Sequence, residues 1–449
     1  MNGNTNVLYV SFSFPPINAA ASFRATKITN YLHEHGIEAT VLTKSISRES
    51  HIHRSTQLGL LRNISKKTRV LRARFFSPTI FHLPFKILRL IKRVLTGRKK
   101  DEPAFSFTLL GKLPRDPFIP DHYIEWLPFA FWKAVASVEG ENVDLIYATG
   151  PPFSVHLLGY LLKAKLGKPL ILEYRDPWTD DPYQEKIAIK ERVNETLERF
   201  LLEHADGVVC IAEPLKSNLI KKYHMKASEA KFTVIPSAFD PIDFKDLPKV
   251  GINGSDSFII TITTTLYGGR NPEGFFKAIS MLKEKGILEN VDFQIHVYGY
   301  NDEARFSDLL ESLEIDDIVF FKGLVPHDTC ISIMKASTIN LDVGEADFDY
   351  PTLPYHFWEY LGSGKKILFY GNPDSYKAGY IKHHDLGMIL PANDVEKTAT
   401  MLEQLVQDFK EGTLSSSLPP GTSEKQTWKN RLLDLSRYLK KIAGASVRE

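Results

Sequence analysis

Arg175-Asp176-Pro177-Trp178-Thr179 places a guanidinium, a carboxylate and an indole within five residues. An indole stacks on sugar rings, and the two charged groups hydrogen-bond hydroxyls or anions. An internal Arg–Asp ion pair with a buried Trp178 is the alternative. A second stretch, Tyr267-Gly268-Gly269-Arg270-Asn271-Pro272, joins two glycines that can expose backbone N–H groups to a planar donor fork at Arg270, with a proline suited to a helix start. It predicts a cradle for two linked phosphoryl groups; a Gly-Gly turn with a surface Arg is the other reading. Glu359 stands in an aromatic run, Pro354 to Tyr360, that closes at Gly362-Ser363-Gly364. A carboxylate on a mostly apolar helix needs a partner, and paired ribose hydroxyls are good ones; a capped, exposed Glu is the alternative. Near the amino terminus the small residues from Asn18 to Ser22 precede Arg24. They let backbone approach a ligand, and Ser22 is predicted to cap a helix whose amino end favours anions. No GxGxxG occurs there, which excludes the dinucleotide fingerprint.

These groups need a scaffold, and hydrophobic periodicity supplies one. Short β-branched runs alternate with amphipathic stretches: strand Val7–Phe12, helix Phe23–His35, strand Ala39–Thr43, then strand Asp144–Ala148, helix Ser154–Leu166 and strand Pro169–Tyr174. The pattern fails over the Pro- and Gly-rich residues 237–256 and restarts at Phe258. It predicts two successive doubly wound α/β domains with parallel sheets, residues 1–236 and 257–422, followed by a last amphipathic helix within 423–449. Ligands in such sheets sit beyond the carboxyl ends of strands, which is where each stretch above falls.

Composition narrows the class further. The chain has 449 residues, 43% hydrophobic and 24% charged, so collagen-like and wholly disordered readings are excluded. Its two cysteines, Cys210 and Cys330, have no metal-ligand spacing and imply a reducing compartment. No uncharged apolar run approaches the roughly 18 residues of a spanning helix, and no leader pattern opens the chain, so a cytoplasmic protein is expected. From Arg62 to Lys100 there are 13 Lys/Arg and no Asp/Glu; removing those 13 from the net +2 leaves −11 elsewhere. Within this basic insert (51–100), Pro84–Leu95 projects as a helix with Lys86, Arg89, Lys92 and Arg93 on one arc and aliphatic residues on the other. Such a helix fits an anionic membrane surface, or packs on its own domain with a solvated basic face. Nothing resembles a nucleic-acid module.

Taken together, Phe14-Pro15-Pro16 with Arg24, Arg175-Asp176-Pro177-Trp178-Thr179, and Pro354 to Tyr360 with Gly364-Lys365 resemble the GT-B glycosyltransferases, specifically the family 4-like enzymes of bacterial cell-surface polysaccharide biosynthesis. The resemblance implies a carboxyl-terminal domain that binds a nucleotide-sugar donor. There Glu359 would take the ribose, Arg270 with Gly268 and Gly269 the diphosphate, and Tyr298-Gly299 the base, with Leu353 and His356 beside them. It implies an amino-terminal acceptor domain, with Asn18, Ser22, Arg24, Arg175, Asp176 and Trp178 facing the cleft and Asp176 positioning the acceptor. It further implies retention of configuration, no metal or other cofactor, a glycan or lipid-linked acceptor, and a last helix crossing back to the amino-terminal domain. Departures from the family pattern are specific. Its first motif Glu would fall on Pro351, leaving Glu345, Asp347 or Asp349 as stand-ins; His356 replaces a Lys; and Asn18-Ala19-Ala20 replaces a Gly-Gly. A sugar-nucleotide epimerase and a catalytically silent scaffold are the alternative readings of the same fold.

Overall fold

A computed structural model describes residues 4–46, 58–75, 118–184, 186–252, 257–299, 301, 303–422 and 424–445. The segment carrying Lys86, Arg89, Lys92 and Arg93 lies outside the described residues. Part of the basic stretch ahead of it is built into a sheet: Arg69–Ala73 (β3) pairs in parallel with Ile37–Lys44 (β2). Arg72 there donates to the carbonyl of Pro15 at 2.6 Å, and Arg69 pairs with Glu141, so these two cations serve their own domain.

The first sheet has seven strands in the order β3-β2-β1-β4-β5-β6-β7. Thr5–Ser11 (β1), Leu145–Gly150 (β4) and Leu170–Tyr174 (β5) form its centre, flanked later by Gly207–Cys210 (β6) and Phe232–Val234 (β7). The pairs from β3 through β5 run parallel. Every residue of β4 and β5 is buried. A parallel strand covered on both faces reads as a continuous apolar run rather than an alternation, as Leu170-Ile171-Leu172 does.

The second sheet has six strands, all in parallel pairs, in the order β10-β9-β8-β11-β12-β13. These are Phe258–Ile262 (β8), Phe293–Tyr298 (β9), Val319–Gly323 (β10), Ile339–Val343 (β11), Ile367–Gly371 (β12) and Gly387–Pro391 (β13). In each sheet the order reverses once, between β1 and β4 and between β8 and β11. At such a switch point the connections leave in opposite directions and open a crevice at the strand ends.

The described residues form two compact units: one runs to Val209 and includes 230–232 and the chain from Tyr438, and the other comprises Cys210–Glu229 and Thr233–Arg437. The last helix, Trp428–Ala445, belongs to both. Its Trp428 amide donates to Phe239 O at 3.0 Å in the second unit. Near its other end the Tyr438 hydroxyl accepts from the Val208 amide at 3.0 Å and donates to Lys231 O at 2.5 Å in the first. The part of the helix from Tyr438 thus belongs to the first unit. Among the described residues no helix is long and apolar enough to cross a membrane.

The first helix, Ala20–Leu32 (α1), corrects one expectation. Its N-cap is Ala19, without a side-chain cap bond, and Ser22 lies inside the first turn with a buried Oγ that has no hydrogen-bond partner. Ser22 is an interior residue rather than a cap.

The first domain also carries a buried titratable ring. His156, in helix Ser154–Leu166 (α3), is 0% exposed; its Nε2 lies 2.9 Å from the Glu173 carbonyl oxygen, and its Nδ1 has no partner. Burial, reinforced by Arg175, pushes its pKa down to about 4 from an ordinary 6.5. Between those values the unfolded chain holds a proton that the folded chain does not. Stability is therefore undiminished above pH 6.5 and falls as pH drops toward 4, by about 2 kcal/mol between pH 6.5 and 5. His156→Gln is expected to flatten the pH dependence of the urea midpoint between pH 7 and 5 by that amount. Identical slopes for wild type and variant would refute the assignment.

Candidate active site

In the second unit the loop after β8 and the loop after β11 meet at the switch point. Gly268 sits at φ +54°, a backbone conformation that a Cβ disfavours. Gly269 makes the contact possible: a Cβ there would lie 3.2 Å from the Phe348 ring and 3.4 Å from Glu345 Cγ. The amides of Arg270 and Asn271 close the turn onto Tyr267 O and Gly269 O, each at 3.0 Å. Pro272 is the N-cap of helix Glu273–Glu284, one position before its first turn.

Arg270 Nε lies 3.1 Å from Glu345 Oε1, with side-chain exposures of 13% and 5%, and its guanidinium lies over the Tyr267 ring. Burial works against its charge, but Tyr267, Glu345 and Asp342 more than offset this and raise its pKa. Of the three carboxylates considered for the missing motif position, Glu345 is the one that faces Arg270. Asp349 accepts from the Tyr376 amide at 2.8 Å, and Asp347 is exposed.

Behind this pair stands Asp342, fully buried on β11. Lys377 Nζ lies 3.1 Å from each of its oxygens, and His356 Nε2 lies 3.2 Å from Oδ1. Burial would raise its pKa, yet Lys377, then His356 and Arg270, hold the carboxyl well below the usual range. His356 thus faces a carboxylate. Three residues along the helix Tyr355–Gly362 (α9), on the same face, Glu359 Oε1 lies 2.5 Å from His327 Nε2.

Tyr298 and Gly299 end β9 beside the same loop. Asn301 ties them to it: its Oδ1 accepts from the Leu266 amide at 2.6 Å, and its Nδ2 donates to Thr264 O and Tyr298 O at 3.2 and 3.3 Å. Gly268, Gly269, Arg270 and His356 therefore gather around Asp342 and Glu345, with Glu359 on the His356 face of α9 and Tyr298-Gly299 on the flank. Leu353 does not join them; it is packed in a core with Phe357 and Trp358.

The first unit is organised differently. Arg24 donates from Nε and Nη2 to Glu173 Oε1 at 3.0 and 2.6 Å, and the Tyr147 hydroxyl donates to the same oxygen at 2.7 Å. Arg24 is 2% exposed and Glu173 0%. Burial would raise the Glu173 pKa, but Arg24 outweighs it and the carboxyl lies below its ordinary value. Arg175 is 9% exposed and donates to Pro151 O; its Nε is buried without a partner. Trp178 is 1% exposed and stacks on Phe153 at 4.7 Å and 3°. Ser22, Arg24, Arg175 and Trp178 are thus interior groups, and the buried-Trp alternative describes residue 178. Asn18 and Asp176 remain partly exposed.

The residues that sequence reasoning passed over are Asp342, Lys377, His327, Asn301 and Glu173. Two of them carried a signal. Asp342 and Glu173 are lone carboxylates inside apolar, fully buried strands, Ile339–Val343 and Leu170–Tyr174, and such a group requires a cation. Among the described residues no three His, Cys, Asp or Glu side chains gather as a metal site.

Residues 93–242, which include Arg175–Thr179, match the family described as Glycosyltransferase Family 4. The whole chain superposes on solved glycosyltransferase structures. Sucrose-phosphate synthase from Thermosynechococcus elongatus is 13% identical with a TM-score of 0.65, over 98% of this chain and 100% of that one. Residues 93–242 thus carry the match to family 4, and the chain shares the fold of GT-B structures. Anabaena HepE in complex with UDP is 12% identical, TM-score 0.57, over 99% and 98% of the two chains. A TarM variant from S. aureus in complex with fondaparinux, alpha-GlcNAc-glycerol and UDP is 10% identical, TM-score 0.58, over 99% and 100%. At such identities the structural likeness is one of fold. No curated protein matches the sequence. The resemblance read from the three motifs is borne out for the family 4 domain and for the GT-B fold. The matched segment ends before Gly268, so the donor-side reading rests on the geometry of the second unit.

Proposed function

We propose that this protein transfers a sugar from a nucleotide-sugar donor to a glycan or lipid-linked acceptor in cell-surface polysaccharide biosynthesis, with retention of configuration and without a metal or other cofactor. One observation carries the reading: a half-buried guanidinium, Arg270, held by Glu345 at the switch point of the second sheet, where the fold collects ligands. The HepE and TarM structures, which share this fold, are complexes with UDP, and this supports a nucleotide-linked donor.

The chemistry follows from the groups present. The donor C1–O bond to the diphosphate breaks as the acceptor oxygen forms its own bond to C1. The acceptor proton passes to a donor phosphate oxygen, which leaves no obligatory general base. Negative charge grows on the departing diphosphate, and Arg270, beside the Gly268-Gly269 turn at a helix start, is preorganised to meet it. Glu359 accepts from the ribose hydroxyls, exchanging its bond to His327. Asp176, half-buried at the end of β5, positions the acceptor. The site of action is the cytoplasm or the cytoplasmic face of a membrane, where the basic residues Lys86, Arg89, Lys92 and Arg93 meet anionic lipid.

A thermal-shift panel of UDP-, GDP- and ADP-sugars tests this reading. A donor at 100 times its dissociation constant adds about 2.7 kcal/mol of stability, so one nucleotide class is expected to raise the Tm of wild type. Glu359→Ala is expected to abolish that rise. If no nucleotide sugar shifts the wild-type Tm, the proposal fails and a silent scaffold is the better description.

A further inference from the structure

The first unit contains a cavity of about 390 Å³ that none of the donor-side groups touches. It lies between the loop that follows β5 and the opening turns of helix Ala188–His204 (α4). Ile187, Lys190, Glu191 and Asn194 line one side, a spacing that puts all four on a single helical face. Trp178, Asp181 and Tyr183 from the loop line the other. The volume falls in the range of about 300–1,000 Å³ typical of small-ligand sites.

Asn194, on the cavity wall, is a polar group that the fold leaves unsatisfied. The residue is 4% exposed, and its side-chain Oδ1 is buried with no hydrogen-bond partner. One turn further on, Glu198 is already bonded to the Thr179 hydroxyl at 2.5 Å. A buried amide oxygen left without a donor costs free energy unless something that enters the cavity supplies one.

The lining decides the class of ligand. Asp181 and Glu191 only accept hydrogen bonds, the Lys190 ammonium only donates, and Asn194 does both. Tyr183 and Ile187 offer apolar surface. A phosphate or carboxylate would meet three carboxylates, Asp121 among them, and a cation would meet Lys190 and Lys186. A neutral sugar residue suits this mixed lining, because its hydroxyls both donate and accept and its C–H faces are apolar. We infer that this cavity is a binding subsite for a neutral sugar residue. Its role as part of the acceptor site rests on the transferase reading above; its affinity for sugar does not.

Saturation-transfer NMR on the full chain without nucleotide tests the inference, using methyl glycosides of glucose, galactose, mannose, N-acetylglucosamine and N-acetylgalactosamine, with inorganic phosphate as competitor. At least one glycoside is expected to bind, with its Kd raised at least tenfold by Asn194→Leu and by Tyr183→Ala and unaffected by phosphate. UDP binding stays unchanged in both variants, and Glu359→Ala keeps the glycoside signal, so failure of the donor site reads separately. If Asn194→Leu does not fold, Tyr183→Ala, on the loop, decides. No glycoside signal from wild type, equal binding by the variants, or displacement by phosphate would each overturn the assignment.

Discussion

Arg270→Ala is expected to lower kcat/KM for sugar transfer by about 10²–10³-fold, equivalent to about 3–4 kcal/mol of transition-state stabilisation. The loss follows from where charge develops. A leaving diphosphate gains negative charge as the C1–O bond breaks, and Arg270 is a half-buried guanidinium that follows the glycine turn at the switch point. A lysine substitute is expected to recover little, since an ammonium lacks the planar fork that meets two phosphate oxygens at once. The pairing with Glu345 makes a second, opposite-signed outcome available. Glu345→Gln releases Arg270 from its carboxylate, so binding of free nucleoside diphosphate is expected to tighten several-fold. Transfer is expected to fall in the same variant, because an Arg270 no longer held by Glu345 loses its preorganisation toward the departing diphosphate. Calorimetry with UDP and initial rates with the donor found in the thermal-shift panel separate the two. An Arg270→Ala protein that folds and transfers at the wild-type rate would falsify the placement of the diphosphate.

Arg24→Leu is expected to reduce unfolding free energy by about 3–5 kcal/mol, measured by urea denaturation at neutral pH. It leaves Glu173, 0% exposed, charged and without its cationic partner, with the Tyr147 hydroxyl still donating to it. Stability lost in this way comes from stranding a charge rather than from the worth of the pair. The double variant Arg24→Leu/Glu173→Leu is therefore expected to recover most of the loss. Donor binding, a property of the second unit, is expected to survive in any Arg24→Leu protein that stays folded. The contrary result is informative too: full stability with a raised KM for acceptor would return Arg24 to the acceptor-facing role its position after Phe14-Pro15-Pro16 implies.

The scaffold was readable because it is encoded locally. Continuous apolar runs such as Leu145–Ala148 and Phe258–Ile260, separated by helices of period 3.6, leave little choice but parallel sheets with crossovers. What escaped notice were elements whose local pattern is masked by other demands. In β3 the sequence Arg-Val-Leu-Arg-Ala sits at a sheet edge, where arginines find partners along the rim, so it reads as part of a basic run rather than as a strand.

Chemistry was legible only in part, for a related reason. The Gly268-Gly269-Arg270 turn and Glu359 could be picked out because their residue types are unusual for their settings. Arg24, Arg175 and Trp178 looked equally functional in the string, yet the fold turns them inward. Arg24 meets a carboxylate 149 residues away, and Trp178 lies flat on Phe153. Periodicity and motif order were thus enough to specify two doubly wound domains and the strand ends at which to look, since short-range packing writes itself into neighbouring residues. Which polar groups face a ligand and which face one another was settled only by the register of strands distant in the chain. A charge buried in a sheet takes whichever partner the folded backbone brings within about 3 Å, and no local pattern records that choice.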